Sequence, residues 1–382
     1  LKKGLLLIVT LIFIFVGIYG TRHYLRQQQA ERDTNDAILH IDEGDYGRSI
    51  DQLKDVIATY DYPVVQAPAM YLLGNAFERK KEYVNAIETY QDLIADTTLT
   101  AEGNWYAQAV VALSGLYRQG VTTRTPQKTA LLQDYLQAMI QRVQEKKETE
   151  AREESFENVL DELFRTIRKS SYDLAVKDVT NDELLSELHT ELGLLYLQEK
   201  EYSRAEDILR KLDTPLARFG LARLYLETGE NQRGIALLDD LVRFDGSETI
   251  RQYYVSSLFR YAESLYDDKN YSEALPLLQR VVDLDKNTEY AELSLFFTAE
   301  YYYRVKKYTT ALKYIEEILN NSVPAANEQA LLLRGYIYYD RREFARALKV
   351  FHDFLRAYPY SERAKTAHEW KVLCERSLKY LN

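Results

Sequence analysis

The stretch Leu295–Leu319, LFFTAEYYYRVKKYTTALKYIEEIL, decides how the rest of the chain is read. Leu295, Ala299 and Tyr302 repeat at helical spacing, and so do Tyr308, Ala311, Ile315 and Leu319. Two amphipathic helices are predicted, with Val305–Lys307 as the turn between them. Ala311 is small, which lets the second helix lie close against the first. The unit recurs on both sides, as Tyr271 with Ala274 before it and Phe344 with Ala347 after it. Ala274 and Ala311 are 37 residues apart, and Ala311 and Ala347 are 36 apart. A helix–turn–helix unit with such a period predicts a stacked helical-repeat array.

Further copies carry a sharper pattern. Leu73-Gly74-Asn75-Ala76-Phe77 is followed by Tyr83, Ala86, Ile87 and Tyr90. Leu192, Gly193 and Tyr196 are followed by Tyr202 and Ala205. Gly335 and Tyr338 are followed by Phe344 and Ala347, with Tyr358-Pro359 closing the unit. Each has a small residue and then an aromatic one on the first helix, and an aromatic and a small residue opening the second. This resembles the tetratricopeptide repeat family over most of Gly44–Asn382, with a gap in the middle. The resemblance implies an all-α fold, a right-handed α-solenoid of helix–turn–helix repeats.

Composition agrees with an ordered helical chain. Of 382 residues, 46% are hydrophobic and 28% charged, and only 15 are glycine and 7 proline. The net charge of −10 argues against nucleic acid as a main partner, because a polyanion calls for a basic patch. Cys374 is the single cysteine, so neither an intramolecular disulfide nor a thiolate metal cluster is available. The 32 tyrosines exceed what the repeat framework needs, and the surplus is expected to line a binding surface.

Leu5–Tyr19 is apolar apart from Thr10 and Gly17 and follows Lys2 and Lys3. It is expected to be an amino-terminal transmembrane helix contacting the lipid bilayer, slightly short of the roughly 20 residues of a full span. A cleavable signal peptide is the alternative, with Gly17 and Gly20 at the cleavage site. Both readings export the body, so a single-pass protein of a bacterial inner membrane with a periplasmic body is expected. Flanking charge gives a near tie on topology.

The expected organisation is residues 1–25 as anchor or signal peptide, 26–120 as amino-terminal repeats, 121–180 as a degenerate helical insertion, and 181–382 as a carboxy-terminal repeat array. Trp105–Arg118 reads as a first helix, after which the period fails. Pro126 stands where a helix start is expected. Glu145–Glu154, EKKETEAREE, reads as a solvated helix face, with a long helix reaching beyond the array as the alternative. Phe156, Val159, Leu160, Leu163, Phe164 and Ile167 form an apolar stripe. Asn181-Asp182-Glu183 looks like a helix start. Ala364–Leu381 should cap the array. This ending resembles bacterial envelope repeat proteins, including the outer-membrane assembly lipoprotein family. The absence of a lipidated cysteine separates the chain from that family.

No catalytic, cofactor-binding or metal site is expected. His23, His40, His189, His352 and His368 include no pair at helical ligand spacing. Neither a glycine-rich phosphate loop nor a G-x-S-x-G elbow is present. Cys374 reads as a buried small apolar residue. The tetratricopeptide resemblance implies instead a concave groove lined by the first helices. Its positions here hold Phe219 and Arg223; Phe259, Glu263 and Tyr266; Phe296, Glu300 and Tyr303; and Leu332, Tyr336 and Tyr339. Such a groove suits an extended peptide or an amphipathic helix. The family's paired lysine and asparagine clamp for a terminal carboxylate is incomplete, since Asn75 lacks its lysines. The expected function is a non-enzymatic, membrane-anchored scaffold in an envelope assembly, motility or secretion complex. A self-assembling ring or collar component and a regulatory subunit of a membrane enzyme are the alternatives.

Overall fold

The computed structural model describes residues 24–96, 99, 104–121, 125–154, 180–245 and 247–381. Among them every regular element is an α-helix. The chain divides into two compact units, residues 1–221 and 222–382. The first holds α1 (residues 24–42), α2 (Tyr46–Thr59), α3 (Pro63–Arg79), α4 (Tyr83–Ala95), α5 (Trp105–Arg118), α6 (Pro126–Glu154), α7 (Asn181–Gln198) and α8 (Tyr202–Leu209). The division falls within α9 (Pro215–Glu227). The second unit continues with α10 (Asn231–Asp245), α11 (Glu248–Asp267), α12 (Tyr271–Leu284), α13 (Glu289–Arg304), α14 (Tyr308–Leu319), α15 (Asn327–Asp340), α16 (Phe344–Ala357) and α17 (Ala364–Leu381).

One register rule builds most helix pairs. A small residue on the first helix faces a large one sixteen positions later on the second: Ala37 and Leu53, Gly74 and Tyr90, Gly193 and Leu209, Ala222 and Leu238, Ala262 and Leu278, Ala299 and Ile315, Gly335 and Phe351, all buried. The glycines are needed for close approach. A Cβ on Gly74 would lie 2.4 Å from the Tyr90 ring, and one on Gly335 would lie 2.5 Å from the Phe351 ring.

The turn obeys the same register. Seven residues after the small position the backbone enters the left-handed region, at Gly44, Lys81, Lys200, Gly229, Lys269, Lys306 and Arg342. The following N–H then donates back across the end of the first helix, for example Glu82 to Phe77 (2.9 Å), Lys307 to Tyr302 (2.8 Å) and Glu343 to Tyr338 (2.8 Å). This 6→1 bond is the Schellman closure, which satisfies a carbonyl that the helix end would leave without a partner. Three units add a guanidinium over the first-helix tyrosine: Arg204 over Tyr196, Arg233 over Tyr225 and Arg346 over Tyr338.

The middle of the chain departs from the rule in an instructive way. α6 is one continuous helix of 29 residues, about 44 Å long. It starts at Pro126 as expected, and it packs against both α5 and α7. At the α5 and α6 register the sizes are inverted. Leu113 takes the small position and Thr129 the large one, and both are buried. Glu191 joins α7 to α5: its carboxylate is 5% exposed, accepts from Ser114 Oγ at 2.8 Å and pairs with Arg118 at 2.8 Å. The true cap of α7 is Thr180, one residue before the expected start, in a reciprocal capping box with Glu183. The Phe156–Ile167 stripe lies outside the described residues.

In the second unit, carboxylates tie one first helix to the next. Glu292 of α13 is fully buried and accepts from the Ala326 N–H at 3.1 Å, at the start of α15. Glu328 of α15 accepts from Ser361 Oγ and lies 3.7 Å from Arg363, just before α17. α17 packs on the last repeat with Ala367, Trp370 and Cys374.

The membrane expectation is corrected. Residues 5–19 lie outside the described residues. Among the described residues no helix is long and apolar enough to cross a membrane. Their long helices are interrupted by charge, as α11 is by Glu248, Arg251, Arg260, Glu263 and Asp267. The placement in a bacterial inner membrane with a periplasmic body is therefore overturned.

Candidate protein-docking face

In the second unit the first helices α11, α13 and α15 are direct neighbours. Their shared face is set by register: residues three before, one after, four after and five after each small residue. On α11 these are Phe259, Glu263, Tyr266 and Asp267; on α13 Phe296, Glu300, Tyr303 and Arg304; on α15 Leu332, Tyr336, Tyr339 and Asp340.

The structure divides the expected groove residues into two groups. Phe259, Tyr266 and Leu332 are buried between helices. Phe297, which sequence reasoning missed, is the hub for the first two, with ring centroids 6.1 Å from Phe259 and 4.9 Å from Tyr266. Such tilted pairs add about 0.5–1.5 kcal/mol each beyond the area they bury. The second group stays partly exposed: Glu263, Phe296, Glu300, Tyr303, Tyr336 and Tyr339. Tyr336 and Tyr339 lean on Trp370 of α17, at 4.8 and 5.1 Å. Phe219, partly buried, belongs to the first unit, and Arg223 pairs with Glu227 on its own helix at 3.4 Å.

Polar chemistry on this face is specific. Glu300 accepts from the Tyr266 hydroxyl at 3.0 Å and pairs with Arg304 at 2.9 Å. Burial raises the Tyr266 hydroxyl above its ordinary pKa, and Glu300 adds to the rise, so it stays a donor. The Tyr303 hydroxyl bonds Asp340 and is raised by burial and by that carboxylate. Burial, with Asp267 one turn away, raises the Glu263 carboxyl. Asp267 and Asp340 were not singled out from sequence. The signal for them was their place five residues after Ala262 and Gly335.

Elsewhere, an open cavity of about 690 Å³ lies between α6, α7 and α8, with Ile140, Leu192, Ile208 and Leu212 in its lining. Cys374 is fully buried, and burial pushes its thiol up to about 11, which fits a packing role. Among the described residues no group of three His, Cys, Asp or Glu side chains is placed to hold a metal ion.

Stacked helix pairs with a fixed internal register define a helical-repeat protein. The sequence profile of the tetratricopeptide repeat matches residues 35–98, 190–249, 219–292 and 296–362, more than half of the chain, and the chain belongs to that family. Proteins of this family generally mediate contacts between proteins. The chain is similar to the tetratricopeptide repeat domain of P58(IPK), with 17% identity over 93% of this chain and 99% of that one, at a TM-score of 0.30. It is similar to a tetratricopeptide repeat protein from Parabacteroides merdae, with 16% identity over 91% and 99% and a TM-score of 0.37. It is also similar to the apo form of the quorum sensor NprR from B. thuringiensis, with 12% identity over 97% and 93% and a TM-score of 0.45. No curated protein matches the chain.

Proposed function

We propose that this chain is a scaffold or adaptor that docks other proteins on the face formed by α11, α13 and α15. One observation carries the reading. Phe296 and Tyr303 on α13 and Tyr336 and Tyr339 on α15 remain partly exposed on two adjacent first helices. Tyrosine supplies large contact area at small rotamer-entropy cost and a hydroxyl that orients a partner. A row of such side chains across parallel helices suits an extended peptide or one face of an amphipathic helix.

Site-specific photo-crosslinking in the native cell tests this. A photoreactive phenylalanine analogue is placed at Tyr303 or Tyr336, and for comparison at Lys313 on α14, an exposed second-helix position. One partner captured from both Tyr303 and Tyr336, absent from Lys313 and lost when Phe296→Ala is added, is the expected result. Capture from Lys313 alone, or only adducts between copies of this chain, would overturn the reading.

A further inference from the structure

Resting on the docking face proposed above, we infer that its partner is a cationic peptide segment, one presenting lysine or arginine side chains along an extended backbone. The argument is charge complementarity. The face carries Arg304, which is held by Glu300 at 2.9 Å. Three carboxylates on the same register positions, Glu263, Asp267 and Asp340, have no cationic partner among the described residues. The exposed Arg260 stands one turn before Glu263 on α11 and forms no ion pair with it or with Asp267.

Glu263 and Asp267 are one helical turn apart on α11. Like charges at that spacing destabilise a helix, and Glu263 is partly buried, so the pair loses solvation as well. Burial and Asp267 together raise the Glu263 carboxyl above its ordinary range. An arriving ammonium or guanidinium removes that repulsion without rearranging the face. Asp340 is held by the Tyr303 hydroxyl, which fixes one oxygen and leaves the charge uncancelled. The aromatic residues complete the match. Phe296, Tyr303, Tyr336 and Tyr339 are partly exposed on the same register positions, Tyr303 in contact with Asp340, and an aromatic face attracts a cation within about 6 Å of its centroid. At longer range the chain's net charge of −10 draws cationic segments in.

The test is fluorescence anisotropy with the full chain. The probes are labelled peptides of about 12 residues, long enough to cross three helices: one alternating lysine and leucine, one alternating glutamate and leucine, and one alternating serine and leucine. The lysine peptide binds and the other two do not. Binding weakens about tenfold in the Glu263→Gln, Asp267→Asn, Asp340→Asn variant, three partly exposed charges each contributing a small share. A control that loses the same charge from the second helices, Glu273→Gln, Glu316→Gln, Glu317→Gln, binds like the parent, which separates the face from general attraction to an acidic protein. Thermal unfolding of both variants establishes that each is folded.

Equal binding of the serine or glutamate peptide overturns the charge inference. So does an unchanged affinity for the lysine peptide in the first variant, or an equal loss in the control. A Phe296→Ala, Tyr336→Ala variant distinguishes the two levels. If it loses the peptide while the carboxylate variant does not, the face stands and the partner chemistry is wrong. If it keeps the peptide, the docking face itself is wrong.

Discussion

Glu292 is a carboxyl group set among the core residues of the second unit. It is fully buried, and its Oε1 has no hydrogen-bond partner among the described residues. Burial raises its pKa from 4.5, and the N–H groups of Ala326 and Ala325 oppose the rise without cancelling it. The folded chain therefore holds this proton more tightly than the unfolded chain does. That contribution to stability is full below about pH 4.5, is lost as pH rises through the raised folded pKa, and is absent above it. Replacing Glu292 by Gln keeps an acceptor for Ala326 and removes the titration. Unfolding midpoints measured against pH should fall from acid toward neutral pH more steeply in the parent than in Glu292→Gln, and the variant should melt higher at neutral pH. A variant that melts lower there would show that α15 needs the charge.

The glycines act at the same scale by steric contact. Gly335→Ala places a methyl group 2.5 Å from the Phe351 ring, a clash that overpacking data put at about 1–3 kcal/mol. Urea unfolding should show that loss, and Phe351→Leu in the same chain should recover part of it. Equal losses with and without Phe351→Leu would mean that the two side chains do not meet as described.

Among elements, the turns carry a removable strain. Five of them place Lys or Arg in the left-handed region, at Lys81, Lys200, Lys269, Lys306 and Arg342, where Gly44 and Gly229 serve in other units. A side chain costs about 1–2 kcal/mol there, and glycine gives some of that back through unfolded-state entropy. Lys306→Gly should therefore raise stability by about 0.5–1 kcal/mol, measured by denaturant unfolding. At α7, Thr180→Ala removes the capping box and should cost about 1 kcal/mol. The small-to-large register was legible because close helix approach restricts its positions to Gly and Ala. α5 and α6 were harder to read because Leu113 and Thr129 exchange sizes, which leaves the packed volume similar and erases the small-residue signal. The paired character of α6 was hidden for the same reason, and the family profile also leaves residues 99–189 unmatched.

For the whole molecule, repeat type and period followed from sequence, because each copy repeats the same steric demand. The docking residues were legible only as register positions. Periodicity places Phe259, Tyr266 and Leu332 on the same face as Phe296 and Tyr336, and it cannot show that Phe297 and the next helix bury the first group. The apolar run at residues 5–19 suggested a location that the described helices do not support. What remains is a repeat chain whose second unit has adjacent first helices, the face proposed above to receive a partner. The most direct measurement is hydrogen exchange of the full chain, alone and with the protein captured from Tyr303 and Tyr336. The account predicts added protection in α11, α13 and α15, with α12, α14 and α16 unchanged. Protection confined to those second helices, or to the first unit, would contradict it.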